Sequence, residues 1–342
     1  MSNIALETAD ELRRTRLKAV AWLSERVRDD GEPFGADKRN SWWRAPWALA
    51  VGGAPDVASA MLGWIERNAL TEDGDLKTGV YGGGSQGSNV YQLSPIAIAA
   101  HLLGRYDLSR HVMAKLEQLV DPETGGAFDR QDFAADPVQE TLKTAQFGVS
   151  ALVTGRWDSA KKVRAWLDTQ LQQQDEAGVF YPAQQAGAVV KRFDPAEQLV
   201  RRVDFSAPRQ MYFFPGIAAA FLAGYAQHSG DADALDLADR YLQYNESGTE
   251  EQFTDVQSVQ ICKFGWGLAM QYGARPTESR LRWLIRMSKW FIQRQNPDGS
   301  WAPSSFTCAQ PELPDFYWKT AEHLMEVAYM ESSLRQRPFT TG

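Results

Sequence analysis

Apolar positions recur every three or four residues in six stretches of the chain, and each of these is followed by a stretch that is apolar nearly all round. Residues 8–28 show the first kind, with Leu12, Leu17, Val20, Trp22, Leu23 and Val27 on one side and charged groups on the other. The same spacing predicts amphipathic helices over 55–69, 107–120, 157–174, 231–244 and 277–295. Their partners, 41–52, 89–104, 137–154, 208–228, 254–272 and 314–334, predict helices buried on every side, as in Ile96 to Leu103 or Gly216 to Ala226. Between the two members of each pair lies an acidic or Asn-containing loop with a glycine: Asp29-Asp30-Gly31, Glu72-Asp73-Gly74, Glu123-Thr124-Gly125-Gly126, Glu176-Ala177-Gly178, Asn245-Glu246-Ser247-Gly248 and Asn296-Pro297-Asp298-Gly299. Repetition of one supersecondary unit signals a repeat architecture, here six helical hairpins. Six hairpins close an all-α (α/α)6 barrel, read as one domain over 1–342, with a cavity where the inner helices begin.

Boundary signals support the pairing. Ser41, Ser88 or Asn89, Asp136 before Pro137, Ser206 before Pro208 and Thr254 suit helix N-caps, and Pro314 suits a first turn. Gly52-Gly53, Gly104, Gly155, Gly230 and Gly273 read as inner-helix stops. Two insertions break the period: 77–88, with Gly82-Gly83-Gly84, and 179–206. Both are long for connections in a bundle, and both fit either a lid or a plain surface excursion.

Composition narrows the function. The 44% hydrophobic content and 12 Trp suffice for a large core and for a pocket lined with indoles. A net charge of −7 argues against nucleic acid or an anionic membrane as partner. No apolar run reaches the roughly 20 residues of a membrane span. Cys262 and Cys308 have neither disulfide-framework nor C-x-x-C spacing, so no metal and no cofactor are expected. Met1 to Ala5 leads into Glu7, Asp10 and Glu11 without an apolar leader, which makes the cytoplasm the expected location.

The sixth hairpin carries Trp290-Phe291-Ile292-Gln293-Arg294-Gln295-Asn296-Pro297-Asp298-Gly299-Ser300-Trp301. This resembles the QW repeat of the squalene and oxidosqualene cyclases, in which an outer helix ends in Gln and Gly-x-Trp follows. Gly126-Ala127-Phe128 and Gly178-Val179-Phe180 are weaker echoes. The resemblance implies the toroid shared by terpenoid cyclases and protein prenyltransferase β subunits, with Gln295 and Trp301 as structural braces. It does not extend to the catalytic strings. The Asp-x-Asp-Asp acid motif and the Asp-rich magnesium motifs are missing, and Asp255 is followed two positions on by Gln257 where the prenyltransferase zinc site has Cys. The Trp-x-Arg-Gly string of the unsaturated glycuronyl hydrolases and the His pairs of the N-acylglucosamine epimerases are missing too.

Residues in the first turns of six inner helices should converge on one mouth. For substrate binding these are Trp42, Trp43, Arg44, Tyr91, Gln92, Lys143, Arg209, Gln210, Tyr212, Gln257, Trp318 and, two turns deeper, His323. Asp315 with Tyr317 leads the catalytic candidates, because a carboxyl beside Phe316 and Trp318 would lose hydration and hold its proton nearer neutrality. Asp255 and Glu140 follow. All three acids equally suit the positive end of a helix dipole. Arg44, Arg209 and Lys143 are suited to a substrate carboxylate or phosphate, or to salt bridges with those acids.

The function expected on this basis is a terpenoid-cyclase-like enzyme, isomerising, cyclising or dehydrating a small, largely apolar substrate without a metal. A carbohydrate-active hydrolase, lyase or epimerase, with Trp and Tyr stacked on sugars and paired carboxylates, is the alternative. A non-catalytic binding toroid is the third reading.

Overall fold

The computed structural model describes residues 3–81, 87–130 and 137–336, so the expectations for Gly82-Gly83-Gly84 and Asp136 lie outside the described residues. The outer helices are α1 (Asn3–Ser24), α3 (Pro55–Asn68), α5 (Tyr106–Gln118), α7 (Trp157–Gln172), α10 (Ala232–Glu246) and α13 (Glu278–Arg294). They alternate with inner helices α2 (Ala45–Gly52), α4 (Val90–Leu102), α6 (Thr141–Val153), α9 (Phe213–Ser229), α12 (Cys262–Ala274) and α14 (Leu313–Arg335). Each inner helix packs on the next, and α14 returns to α2, so the ring closes. Each outer helix seats between two inner ones, with α1 between α14 and α2. This is the (α/α)6 toroid. No helix among the described residues is long and apolar enough to cross a membrane.

The hairpin period has a steric origin in the loops. Gly31 adopts φ +91°, and a Cβ there would stand 2.1 Å from the Ala60 carbonyl oxygen of α3; Gly299, at φ +96°, meets the Lys18 carbonyl oxygen of α1 at 2.6 Å. Gly74 and Gly125 press in the same way on α5 and α7, and Gly299 on the first helix of the chain, whereas Gly178 has nothing within 4 Å and Gly248 does not meet the following outer helix.

Inner helices mostly start later than the cap signals suggest: α2 four residues after Ser41, α9 at Phe213 and α12 at Cys262. Asp255 explains the last case. Its Oδ1 accepts from the Gln257 backbone N–H at 2.8 Å, closing a local turn after the short helix α11 (Glu251–Thr254) in place of capping α12. Gly53, Gly104, Gly155 and Gly230 do sit in left-handed backbone, whereas Gly273 lies inside α12. The 179–206 insertion folds into short antiparallel strands β2 (Val179–Phe180), β3 (Ala183–Gln185), β4 (Ala188–Val189) and β5 (Val203–Asp204), plus helix α8 (Gln198–Arg201). β3 pairs with β1 (Gln139–Glu140) just ahead of α6, which fixes the insertion to the end where α6 begins.

Candidate functional site

Three inner helices carry charged side chains into the ring. α12 brings Lys263, α14 brings Lys319, Glu322 and Glu326, and Arg44 immediately precedes α2; each is at most 3% exposed. Lys263 donates to Glu322 Oε1, Lys319 Nζ lies 2.6 Å from Glu322 Oε2, and Lys263 Nζ is 3.8 Å from Glu326 Oε1. Tyr91 on α4 donates to Glu322 Oε1 at 3.4 Å. Burial alone would raise the Glu322 carboxyl, but Lys263, Lys319 and Arg44 outweigh it and hold it well below the usual carboxylate range. Burial likewise works against the Lys263 ammonium, and Glu322 reverses the balance, leaving it well above its ordinary value.

Arg44 is the exception in this network. Its guanidinium lies over the rings of Trp43 at 4.7 Å and Tyr91 at 4.9 Å, and Nη2 reaches Gln146 Oε1 on α6 at 3.5 Å. Nε and Nη1 have no partner among the described residues, and neither has Gln146 Nε2. Deeper in, Trp47, Trp266 and Tyr329 pack edge to face or tilted, with centroids 5.7 to 6.2 Å apart, and close the far side of this cluster. Tyr91, Phe213 and Trp318 stay partly exposed near the starts of their helices.

A second cluster lies where α6 begins. Lys143 Nζ donates to Asp129 Oδ1 at 2.8 Å, and Arg201, delivered by the 179–206 insertion, donates to Asp129 Oδ2 at 2.7 Å. Burial raises the Asp129 carboxyl, but these two cations more than offset it and leave the group below its ordinary value. Glu140 caps α6 by accepting from the Leu142 and Lys143 backbone N–H groups at 3.1 and 3.0 Å. Its burial outweighs the Lys143 charge and, with Asp129 nearby, pushes it up to about 7. Two neighbouring carboxyls are thus set apart by their surroundings.

The expected site residues divide. Trp43, Arg44, Tyr91, Lys143, Trp318 and Glu140 belong to these two clusters or their edge, Trp318 with Lys319 Nζ 4.3 Å from its ring. Gln92 is partly exposed on α4. Asp315 and Tyr317 do not converge on the axis. Asp315 accepts from the Glu312 backbone N–H at 2.9 Å in a capping box and pairs with Arg39 at 2.7 Å. The Tyr317 hydroxyl points outward to Met61 Sδ at 3.6 Å, with its ring 6.2 Å from Trp22 of α1, and burial raises its pKa far above the ordinary value. Trp42 also faces outward, onto Trp64 of α3 at 5.5 Å. Asp255, Gln257, Arg209 and Gln210 sit in loops: Arg209 Nε bonds Asp255 Oδ2 at 3.1 Å, Gln257 is exposed, and Gln210 bonds Pro208. Burial raises Asp255, but the Gln257 N–H and Arg209 hold it below its ordinary value. Tyr212 folds back onto the Ala207 carbonyl and is pushed up to about 12 by burial.

His323 is fully buried between the edges of Phe291, Trp301 and Trp290, with Nδ1 3.1 Å from Glu326 Oε2. Burial outweighs that carboxylate and lowers its pKa, so the ring is neutral at pH 7. Cys262, His323 and Glu326 bring ligand atoms within 4.8 Å of one another, so they are the residues among those described that could hold a metal. Against it, burial and the nearby carboxylates push the Cys262 thiol well above its ordinary value, and the Lys263 ammonium already provides a cation beside Glu326. Lys263, Glu322, Glu326, Gln146, Asp129 and Arg201 were not singled out from sequence. For the first four a signal exists: charged or amide side chains inside helices that are otherwise apolar nearly all round.

No protein-family model matches the chain, and no curated protein sequence matches it. Solved structures do. A GH76 α-mannanase from Bacteroides thetaiotaomicron superposes with a TM-score of 0.61 at 10% identity, covering 95% of this chain and 97% of that one. The type II terpene cyclase MstE from Scytonema, in complex with geranylgeranyl dihydroxybenzoate, gives 0.60 at 12% identity over 96% and 99% of the two chains. A second glycoside hydrolase of family 76 from B. thetaiotaomicron gives 0.64 at 11% identity over 96% and 100%. At such identities the likeness shows the fold, and that fold is the (α/α)6 toroid of terpene cyclases and family 76 glycoside hydrolases alike.

Proposed function

We propose that the protein is an enzyme that moves a proton on a small, largely apolar substrate held inside the toroid, in an isomerisation or dehydration, with Glu140 carrying the proton. The observation behind this reading is the Glu140 carboxyl at about 7, a value at which one group is available both as acid and as base near neutral pH. Asp129, held ionised by Lys143 and Arg201, supplies a fixed negative charge beside it. The aromatic rings of Trp43, Tyr91 and Phe213, near the starts of α2, α4 and α9, suit an apolar body. Arg44, Lys263 and Lys319 favour transition states that build negative charge and would repel a carbocation, so cationic cyclisation suits this interior less well than proton abstraction or elimination. The MstE substrate, an isoprenoid chain on an aromatic acid, has the kind of build that such an interior accepts.

A second reading, a carbohydrate-active enzyme, is favoured by one observation: Asp129 and Glu140 are a carboxyl pair with one member ionised and the other raised, the division of roles that glycoside hydrolysis uses. Its fold neighbours include the family 76 hydrolases.

Turnover of prenylated aromatic acids and of mannose oligosaccharides separates the two readings. In either, Glu140→Gln should lower kcat by about 100-fold or more at near-normal melting temperature. Unchanged turnover in that variant removes Glu140 from the chemistry and leaves it a helix cap.

A further inference from the structure

Among the described residues, one unit of positive charge at the axis has no counter-ion. Three cations, Arg44, Lys263 and Lys319, face two carboxyl groups, Glu322 and Glu326; His323 is neutral, and the Cys262 thiol keeps its proton. Both lysines are bonded to Glu322, so the surplus falls on Arg44. The hydrogen-bond count points to the same residue. Its guanidinium is fully buried, its one bond among the described residues is 3.5 Å long, and Nε and Nη1 donate to none of them. Buried charges are normally paired and buried donors normally bonded, so a side chain that fails on both counts marks a place for a missing anion.

We infer that Arg44 is the seat of a ligand carboxylate: the substrate is an organic monoacid whose acid group takes the free Nε–H and Nη1–H of Arg44, with the Gln146 amide beside it. This rests on the reading of the toroid interior as the substrate site and gives that substrate its chemical class. A deficit of one charge matches a carboxylate and not the dianion of a phosphate monoester. A metal cation is ruled against by the same count, because it would enlarge the surplus. Tyr91 is the cover. Its ring lies 4.9 Å from the Arg44 guanidinium and 5.8 Å from Lys263 Nζ, it is partly exposed, and its hydroxyl reaches Glu322 by a long 3.4 Å bond and also interacts with Lys263. Swinging that ring aside opens Arg44 and leaves Trp43 as a wall for the apolar body of the acid.

The test is binding, read without turnover: calorimetric titration of the full chain with benzoate, with benzamide as a neutral isostere and with phenyl phosphate as a dianion. Benzoate should bind saturably, and benzamide and phenyl phosphate much more weakly. Arg44→Met should weaken benzoate by about 100-fold, the loss expected when one partner of a buried charged pair is removed. Tyr91→Ala should bind benzoate at least as tightly as the wild type. The inference is overturned if benzoate fails to bind, if benzamide binds equally well, or if Arg44→Met keeps the wild-type affinity. Benzoate binding through Arg44 together with full turnover in Glu140→Gln would uphold this site while removing the proposed catalytic role of Glu140. Loss of turnover in Glu140→Gln without benzoate binding would do the reverse.

Discussion

The corner around Trp301 and the axis around Arg44 are both buried and both polar, yet they treat their polar groups differently. At the corner, Gln295 Nε2 donates to the Thr15 carbonyl of α1 at 2.9 Å and to the Gly299 carbonyl at 3.0 Å. The Trp301 indole donates to the Phe291 carbonyl at 3.0 Å, and its backbone N–H to Thr320 Oγ1 at 3.0 Å. Three helices are tied by donors that all have protein acceptors, as a structural brace requires. At the axis the lysines are matched by Glu322, but Arg44 keeps two donors and a charge unmatched among the described residues. Single open donors occur elsewhere in the core, as on the Trp42 and Trp290 indoles, but a buried cation with two open donors costs stability and calls for a ligand.

The sharpest way to break this contrast is Glu322→Gln. It strands Lys263 and Lys319 with their main partner uncharged, and unfolding in urea should show a loss of about 3–5 kcal/mol. Wild-type stability in that variant would mean that the axial charges are not coupled. The pH dependence carries the same sign. Because the folded Glu322 pKa is depressed, its contribution is present above the unfolded value near 4.5 and disappears as pH falls below it. Glu140 behaves oppositely: with its folded value raised to about 7, the protein binds more protons folded than unfolded, so this group makes stability decline as pH rises from 4.5 to about 7. Glu140→Gln should flatten that decline.

Trp301→Ala should cost about 3 kcal/mol or more by calorimetry, with any activity lost only in step with unfolding. A stable but inactive Trp301→Ala protein would place the corner in the site. Arg44→Met should do the reverse of an ordinary core truncation and raise stability, by about 2 kcal/mol, since it replaces an unpaired buried charge with an apolar side chain of similar length. A destabilised Arg44→Met would mean that the guanidinium is satisfied without a ligand. The smallest effect belongs to Gln295→Ala, about 1 kcal/mol, reflecting two hydrogen bonds at a partly exposed helix end.

The repeat and its closure were legible because they depend on local chemistry. A 3.6-residue apolar period, a loop glycine and all-round apolar partner segments specify hairpins wherever they occur, and the outer helices fall within a few residues of the periodic stretches. The Trp301 brace was legible for the same reason: donor, acceptor and glycine lie within one loop and its flanking helices. Even its echo proved readable but shifted by one residue, since Gly125 is the left-handed glycine and Ala127, like Trp301, donates its N–H to a threonine, Thr144, at 2.9 Å.

What a side chain near the start of an inner helix faces is a different matter. Sequence put Asp315 and Tyr317, ahead of Asp255, on one rim with Arg44. Tertiary packing turned Tyr317 toward Met61, engaged Asp315 with Arg39, left Asp255 in a surface loop with Arg209, and sealed Arg44 among aromatic rings. Helical period fixes which residues share a face, but α2, α9 and α12 begin three or more residues after their apparent signals, and each residue of delay rotates the face by about 100°. The charge balance at the axis was further out of reach, because Arg44, Lys263 and Glu322 come from three hairpins far apart in the chain and acquire their meaning only when the closed ring removes water from all of them at once.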